Sequence, residues 1–235
     1  MGAADRIIVA LDCGMDRAIE LADMLAGHAT WLKVGMTLFY QEGPEAVKAF
    51  KDRGFKVFVD LKLHDIPHQV RGAAKAVALT GADMLTLHAG GGKAMMEAAV
   101  EGAREAVEQV PGLEMPSILA VTVLTSMDDA TLASVGVNDA PADQVRRLAS
   151  LAAEAGVAGV VASPMESAML KGILGDRLIV TPGVRPAGSE KGDQSRVTTP
   201  ADAFANGSTH VVIGRPITQA PDPAAAFDAI VAEIG

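Results

Sequence analysis

Short apolar runs punctuate the chain: Arg6 to Leu11, Trp31 to Val34, Lys56 to Leu61, Met84 to His88, Ile118 to Leu124, Gly159 to Ala162, Leu178 to Thr181 and His210 to Gly214. Between them, apolar positions recur with helical period, as in Ala18, Leu21, Ala22 and Leu25, and again in Val145, Leu148, Ala149 and Ala152. Gly27 and Gly54 stand where helices should end, and Pro44 and Pro223 suit first helical positions. Because the strand-like runs are almost unbroken in apolar residues, they describe strands covered on both faces, as in a parallel sheet under helices. Strand and helix alternating eight times predict a closed (β/α)8 TIM barrel, with residues 1–235 forming a single domain. No linker or low-complexity stretch interrupts the alternation.

Composition narrows the partners. Hydrophobic residues at 49% and charged residues at 21% fit an ordinary globular core. Aromatics at 3% and a formal net charge of −9 argue against a nucleic-acid surface, which needs clustered cations and stacking rings. A small phosphorylated substrate still fits, since a few cations or backbone amides can converge in one pocket of an acidic protein. Cys13 is the only cysteine, so an internal disulfide and a multi-cysteine metal site are excluded and a reducing compartment is expected. The residues from Met1 onward carry no signal-like apolar segment, and no stretch is long enough to span a bilayer, so a cytoplasmic protein without membrane contact is expected.

In a barrel of this kind, chemistry gathers where strands end and βα loops begin. The polar residues at those points are Asp12, Lys33, Asp60 with Lys62, His88, Thr125, Arg185 and Arg215. Within Val59 to Pro67, Asp60 and Lys62 are two apart, so on a strand both face the barrel interior while Leu61 and Leu63 face the helices. Asp65, just past the strand, can approach the same region or reach across a dimer interface. Lys33 on the preceding strand makes the array alternate in charge. A buried ion-pair network that only stabilises the barrel would use the same residue types, but charge at the C-terminal strand ends favours catalysis. Carboxylates around an amine favour the ammonium form, which a proton donor to carbon needs.

The stretch Asp60 to Pro67, an aspartate and a lysine followed by Asp-Ile-Pro, resembles the signature of the orotidine 5'-phosphate decarboxylases. Further stretches match in order: Ala10-Leu11-Asp12, Leu32 to Gly35, Val121 to Ser126, Thr181 to Arg185 continuing to Asp193-Gln194, and Ile213 to Ile217. The resemblance spans nearly the whole chain. It implies conversion of orotidine 5'-phosphate to uridine 5'-monophosphate and carbon dioxide, the last step of de novo pyrimidine nucleotide synthesis, with no metal and no cofactor. Lys62 would protonate C6, Asp60 and Lys33 would complete the charged network, and Asp65 would come from the other subunit of a homodimer. Asp12 and Lys33 would approach the ribose, Thr125 and Gln194 the pyrimidine, and Arg185, Gly214 and Arg215 the phosphate. The family often reads Asp-Ile-Pro-Asn-Thr, whereas here His68 and Gln69 follow Pro67. Gln69 can still exchange hydrogen bonds with a ribose hydroxyl or phosphate, so altered geometry rather than lost activity is expected.

Weaker signals have plainer explanations. His64 and His68 lack an obvious third metal ligand, and His88 reads as a hydrogen-bonded structural histidine. Gly90-Gly91-Gly92-Lys93 lacks the spacing of a phosphate loop, and Cys13 has no partner base in sequence. Gly183 to Arg196, rich in glycine and charge, reads as a lid over the phosphate. Two other functions compete: a metal-dependent phosphosugar decarboxylase or aldolase on a similar barrel, and a nucleotide sensor without turnover. The Leu-Thr-Ser stretch and Lys33 favour the nucleotide substrate, and Lys62 favours turnover.

Overall fold

The computed structural model describes residues 2–186 and 198–234. Eight parallel strands close into one barrel in sequence order: β1 (Ile7–Leu11), β2 (Trp31–Gly35), β3 (Lys56–Leu63), β4 (Met84–His88), β5 (Ser117–Val121), β6 (Gly159–Val161), β7 (Leu178–Thr181) and β8 (His210–Ile213), with β8 pairing back to β1. Around it run α1 (Met15–Leu25), α2 (Met36–Glu42), α3 (Pro44–Lys51), α4 (Pro67–Ala78), α5 (Lys93–Gln109), α6 (Asp129–Ser134), α7 (Pro141–Glu154), α8 (Ser167–Leu174), α9 (Pro200–Ala205), α10 (Arg215–Thr218) and α11 (Pro223–Ile234). The (β/α)8 barrel expected from the alternation is therefore present. Pro44 and Pro223 open α3 and α11, where a missing N–H costs nothing.

Strand alternation divides the apolar residues into two layers. Ile7, Val9 and Leu11 of β1, Leu32 and Val34 of β2, and Val57, Val59 and Leu61 of β3 belong to the large core between barrel and helices. Alternating with them, Ile8, Ala10, Trp31 and Phe58 fill the barrel itself, together with Met84, Leu119, Val180 and Val212 of the later strands. Following that inner face upward from Trp31, Phe58 and Met84, the next inward positions are Lys33, Asp60 and Thr86. The interior thus changes from apolar packing to charge within one step of the period-two repeat. This change defines the mouth of the barrel.

Two boundaries depart from the sequence reading by more than one residue. β3 continues to Leu63, and β5 ends at Val121 instead of Leu124. Apolar residues continue after the chain has left the sheet: Val123 is buried against the outer core and Leu124 is exposed. Hydrophobicity alone cannot separate a strand from a loop packed over one.

One close approach holds the loop after β3 in place. A Cβ on Gly102 of α5 would lie 2.1 Å from the carbonyl oxygen of Arg71 in α4, so only glycine lets these helices meet at this distance. Arg71 also pairs with Glu105 and Glu101 of α5. The first turn of α4 carries His68 and Gln69, so this contact fixes the far side of the Asp60 to Pro67 segment.

Candidate active site

The charged residues at the mouth form one connected chain. Lys33 is 7% exposed, and its Nζ donates to Oδ1 of Asp12 at 3.0 Å while lying 3.6 Å from Oδ2 of Asp60. Nζ of Lys62 donates to the other oxygen of Asp60, Oδ1, at 2.9 Å. Asp60 therefore bridges two ammonium groups, one on each carboxylate oxygen, and its side chain is only 14% exposed. Burial by itself pushes the Asp60 carboxyl up. The ammoniums of Lys33 and Lys62, with hydrogen bonds from Lys62 and Thr86, outweigh burial and hold it below the usual carboxylate range. Gly35 supports this arrangement by omission, since a Cβ there would stand 3.0 Å from Nζ of Lys33 and 3.2 Å from Oδ1 of Asp12.

The backbone that presents Lys62 is irregular. Val59 pairs with Leu85 and Leu63 with Leu87, so Asp60, Leu61 and Lys62 together oppose the single residue Thr86. Such a bulge bends the strand and re-aims a side chain. Lys62 is the only non-glycine residue with positive φ, at 51°, among the described residues. For a residue with a Cβ this conformation costs about 1 kcal/mol. The expectation that Asp60 and Lys62 share the inner face and Leu61 and Leu63 the outer one is met in outcome, but by a bulge instead of regular alternation.

A cavity of about 510 Å³ opens over this network, lined by Asp12, Lys33 and Asp60 on one side and by Gly183, Arg185, Gly214 and Arg215 on the other. A second lobe of about 290 Å³ shares Asp12, Lys33 and Asp60 and reaches Lys62. Gly183, at φ 77°, makes the turn after β7 that leads to Arg185, which is buried and donates through Nη1 to the carbonyl of Val184 at 2.9 Å. Gly214 precedes α10, and Arg215 is its first residue. The mouth thus joins carboxylates and ammoniums to a pair of guanidinium groups on the last two loops, the side of a barrel suited to phosphate. His88, at the end of β4, is kept below the ordinary histidine range by burial and by His64 and Lys62 nearby, and its ring centroid lies 5.5 Å from that of His64. Among the described residues, no three His, Cys, Asp or Glu side chains are placed to share a metal ion.

Comparison with known proteins matches residues 5–230 to the model of the "Orotidine 5'-phosphate decarboxylase / HUMPS family". The chain belongs to this family. It is 52% identical to the orotidine 5'-phosphate decarboxylase of Moorella thermoacetica over 237 residues, covering 100% of this chain and 94% of that one. The enzyme of the same name from Anaeromyxobacter sp. is 50% identical, with 99% of each chain covered. Among solved structures, the orotidine 5'-phosphate decarboxylase from Lactobacillus acidophilus superposes with a TM-score of 0.87 at 40% identity, over 98% of this chain and 99% of that one.

Not every family position converges on the cavity in a single chain. Asp65 is exposed, and its Oδ1 accepts from the backbone N–H of Ile66 at 2.6 Å; among the described residues it pairs with neither lysine. Gln69 is exposed on the first turn of α4. Thr125 is half-buried in the loop beyond β5 and lines neither lobe. Gln194 and all of the expected lid beyond its first four residues lie outside the described residues. The sequence reading did not single out Thr86 or Gln219. Thr86 contacts both Asp60 and Lys62, and Gln219 lines the cavity beside Arg215.

Proposed function

We propose that this family member is an orotidine 5'-phosphate decarboxylase that releases carbon dioxide and forms uridine 5'-monophosphate, with Lys62 as proton donor. The observation that carries the reading is the Lys33–Asp60–Lys62 array, fixed at the mouth before any substrate arrives. In the reaction, the bond between C6 and the carboxylate carbon breaks, carbon dioxide departs, and the electron pair stays on C6 in an orbital poorly placed for delocalisation. The ammonium of Lys62 offsets that charge and then gives C6 a proton, so the lysine ends neutral and is recharged from solvent. An ammonium about 4 Å from the developing charge contributes roughly 4 kcal/mol at an effective dielectric near 20. A donor already held in place adds no reorganisation cost. Asp60 holds Lys62 in position and balances Lys33, while Arg185, Arg215 and Gly214 grip the phosphate, with Asp12 and Lys33 at the ribose. Thr125, Gln69 and Gln194 complete the substrate contacts. No cofactor or metal enters this scheme.

The exposed segment Asp65-Ile66, where Ile66 is 63% exposed beside the mouth, supports a homodimer in which each subunit receives Asp65 from the other. An apolar side chain so placed gains by being covered in a subunit interface. No helix among the described residues is long and apolar enough to cross a membrane, and the lone, half-buried Cys13 accords with a cytoplasmic enzyme.

The test is loss of orotidine 5'-phosphate absorbance with purified protein, run with and without a strong chelator. Rapid chelator-resistant loss with stoichiometric uridine 5'-monophosphate is expected. Absence of turnover in folded, dimeric protein would redirect attention to phosphosugar substrates with added divalent metal.

A further inference from the structure

We infer that Thr86 is a positioning residue for the decarboxylation, its one hydroxyl locking both the Asp60 carboxylate and the backbone that aims Lys62. The inference rests on the orotidine reading of the site and deepens it. Thr86 is fully buried, with Met84 below it and His88 above on the inner face of β4. A hydroxyl in that layer is costly unless both its donor and acceptor capacity are used. Here both are. Oγ1 donates to Oδ1 of Asp60 at 2.8 Å and accepts from the backbone N–H of Lys62 at 2.9 Å.

Because an ionised carboxylate can only accept, the direction of the Thr86 proton is fixed, and with it the orientation of the carboxylate. Oδ1 is held toward Lys62, leaving Oδ2 for Lys33. The second bond substitutes for the sheet ladder. Where three residues of β3 oppose one of β4, the side chain of that one residue accepts from Lys62 N–H inside the bulge. It thereby supports Lys62 at φ 51°, the backbone state that sets where the ammonium points. A valine at this position fills the same space but supplies neither bond, so it frees the carboxylate to rotate and the bulge to relax.

The test compares Thr86→Val, Thr86→Ala and Thr86→Ser with wild type for kcat, KM and thermal unfolding, each rate normalised to the folded fraction by circular dichroism. A displacement of about 1 Å at a reacting group is enough for a loss on the order of 100-fold. Thr86→Val and Thr86→Ala should therefore lose kcat by about that factor, with KM changed by less than about 3-fold, since the phosphate grip is untouched. Thr86→Ser, which restores the oxygen, should recover kcat to within about 3-fold of wild type. The Ser and Ala pair differ by one oxygen and serve even if the valine variant folds poorly. Wild-type kcat per folded molecule in the alanine and valine variants, whatever their melting temperatures, would overturn the inference and leave Thr86 a packing residue. An inactive wild-type chain would instead overturn the functional reading, and this role with it.

Discussion

Asp60 and His210, at opposite ends of the barrel, answer burial in opposite ways. At the mouth, Asp60 is buried but charged, because an ammonium stands on each of its oxygens. At the other end, His210 is buried among Trp31, Met84 and Leu178 around a cavity of about 240 Å³. Burial first, and then the nearby cations of Arg6 and Lys56, lower its pKa to about 4, so it stays neutral. Its ring stands edge-on to Trp31 at 5.9 Å, and Nδ1 lies 3.1 Å from Oγ1 of Thr209. Desolvation acts on both residues. Around His210 the charges that act with burial are cations, whereas Asp60 has a cation on each oxygen, so only the second residue keeps its charge; an ion with defined geometry is what catalysis uses.

The sharpest break of that contrast is Asp60→Asn, which keeps the shape but leaves two ammoniums facing a neutral amide. Loss of kcat on the order of 10³-fold is expected. Removing one partner of a buried ion pair should also lower stability by about 3 kcal/mol in denaturant unfolding. Arg215→Ala acts on the side of the same cavity where the phosphate is proposed to sit. It should raise KM by about 30-fold with a smaller change in kcat, the loss of one charge-assisted grip, as read from steady-state kinetics.

His210 probes the opposite end and should leave turnover per folded molecule unchanged. With a folded pKa near 4 against an ordinary value of 6.5, the unfolded chain binds more protons between these limits. The stability due to neutral His210 is therefore complete above about pH 6.5 and declines as pH falls toward 4, by about 3 kcal/mol in total. Unfolding curves across that range should be steeper for wild type than for His210→Gln. The depressed carboxyl of Asp60 behaves differently, since its contribution is lost only as pH falls below the ordinary carboxylate value of 3.8. The acid sensitivity of the two ends should thus separate by pH window.

Much of this was legible in the sequence because charge inside an apolar run is conspicuous. Lys33, Asp60 and Lys62 stood out on that ground, and the eight strands followed from the runs themselves. The end of β5 did not, since Val123 and Leu124 prolong the hydrophobic signal past the sheet. Thr86 was hidden for another reason: threonine in a strand is ordinary, and nothing local tells a hydroxyl turned to an ion pair from one turned to its own backbone. Nor does a lysine announce positive φ, because the bulge that imposes it arises from pairing between β3 and β4. His210 lay within a recognised strand, but its neutrality depends on packing against residues distant in sequence. Asp65 was legible as a candidate from its place just past β3, but its assignment to the other subunit rested on resemblance, since among the described residues it pairs with neither Lys33 nor Lys62.

The central claim is that Lys62 is the proton donor at a site otherwise able to hold a nucleotide. The direct measurement is Lys62→Ala, assayed for uridine 5'-monophosphate binding by calorimetry and for orotidine 5'-phosphate turnover in the same preparation. The account predicts affinity within about 10-fold of wild type and turnover reduced by at least about 10⁴-fold. Turnover near wild type in the folded variant would contradict it.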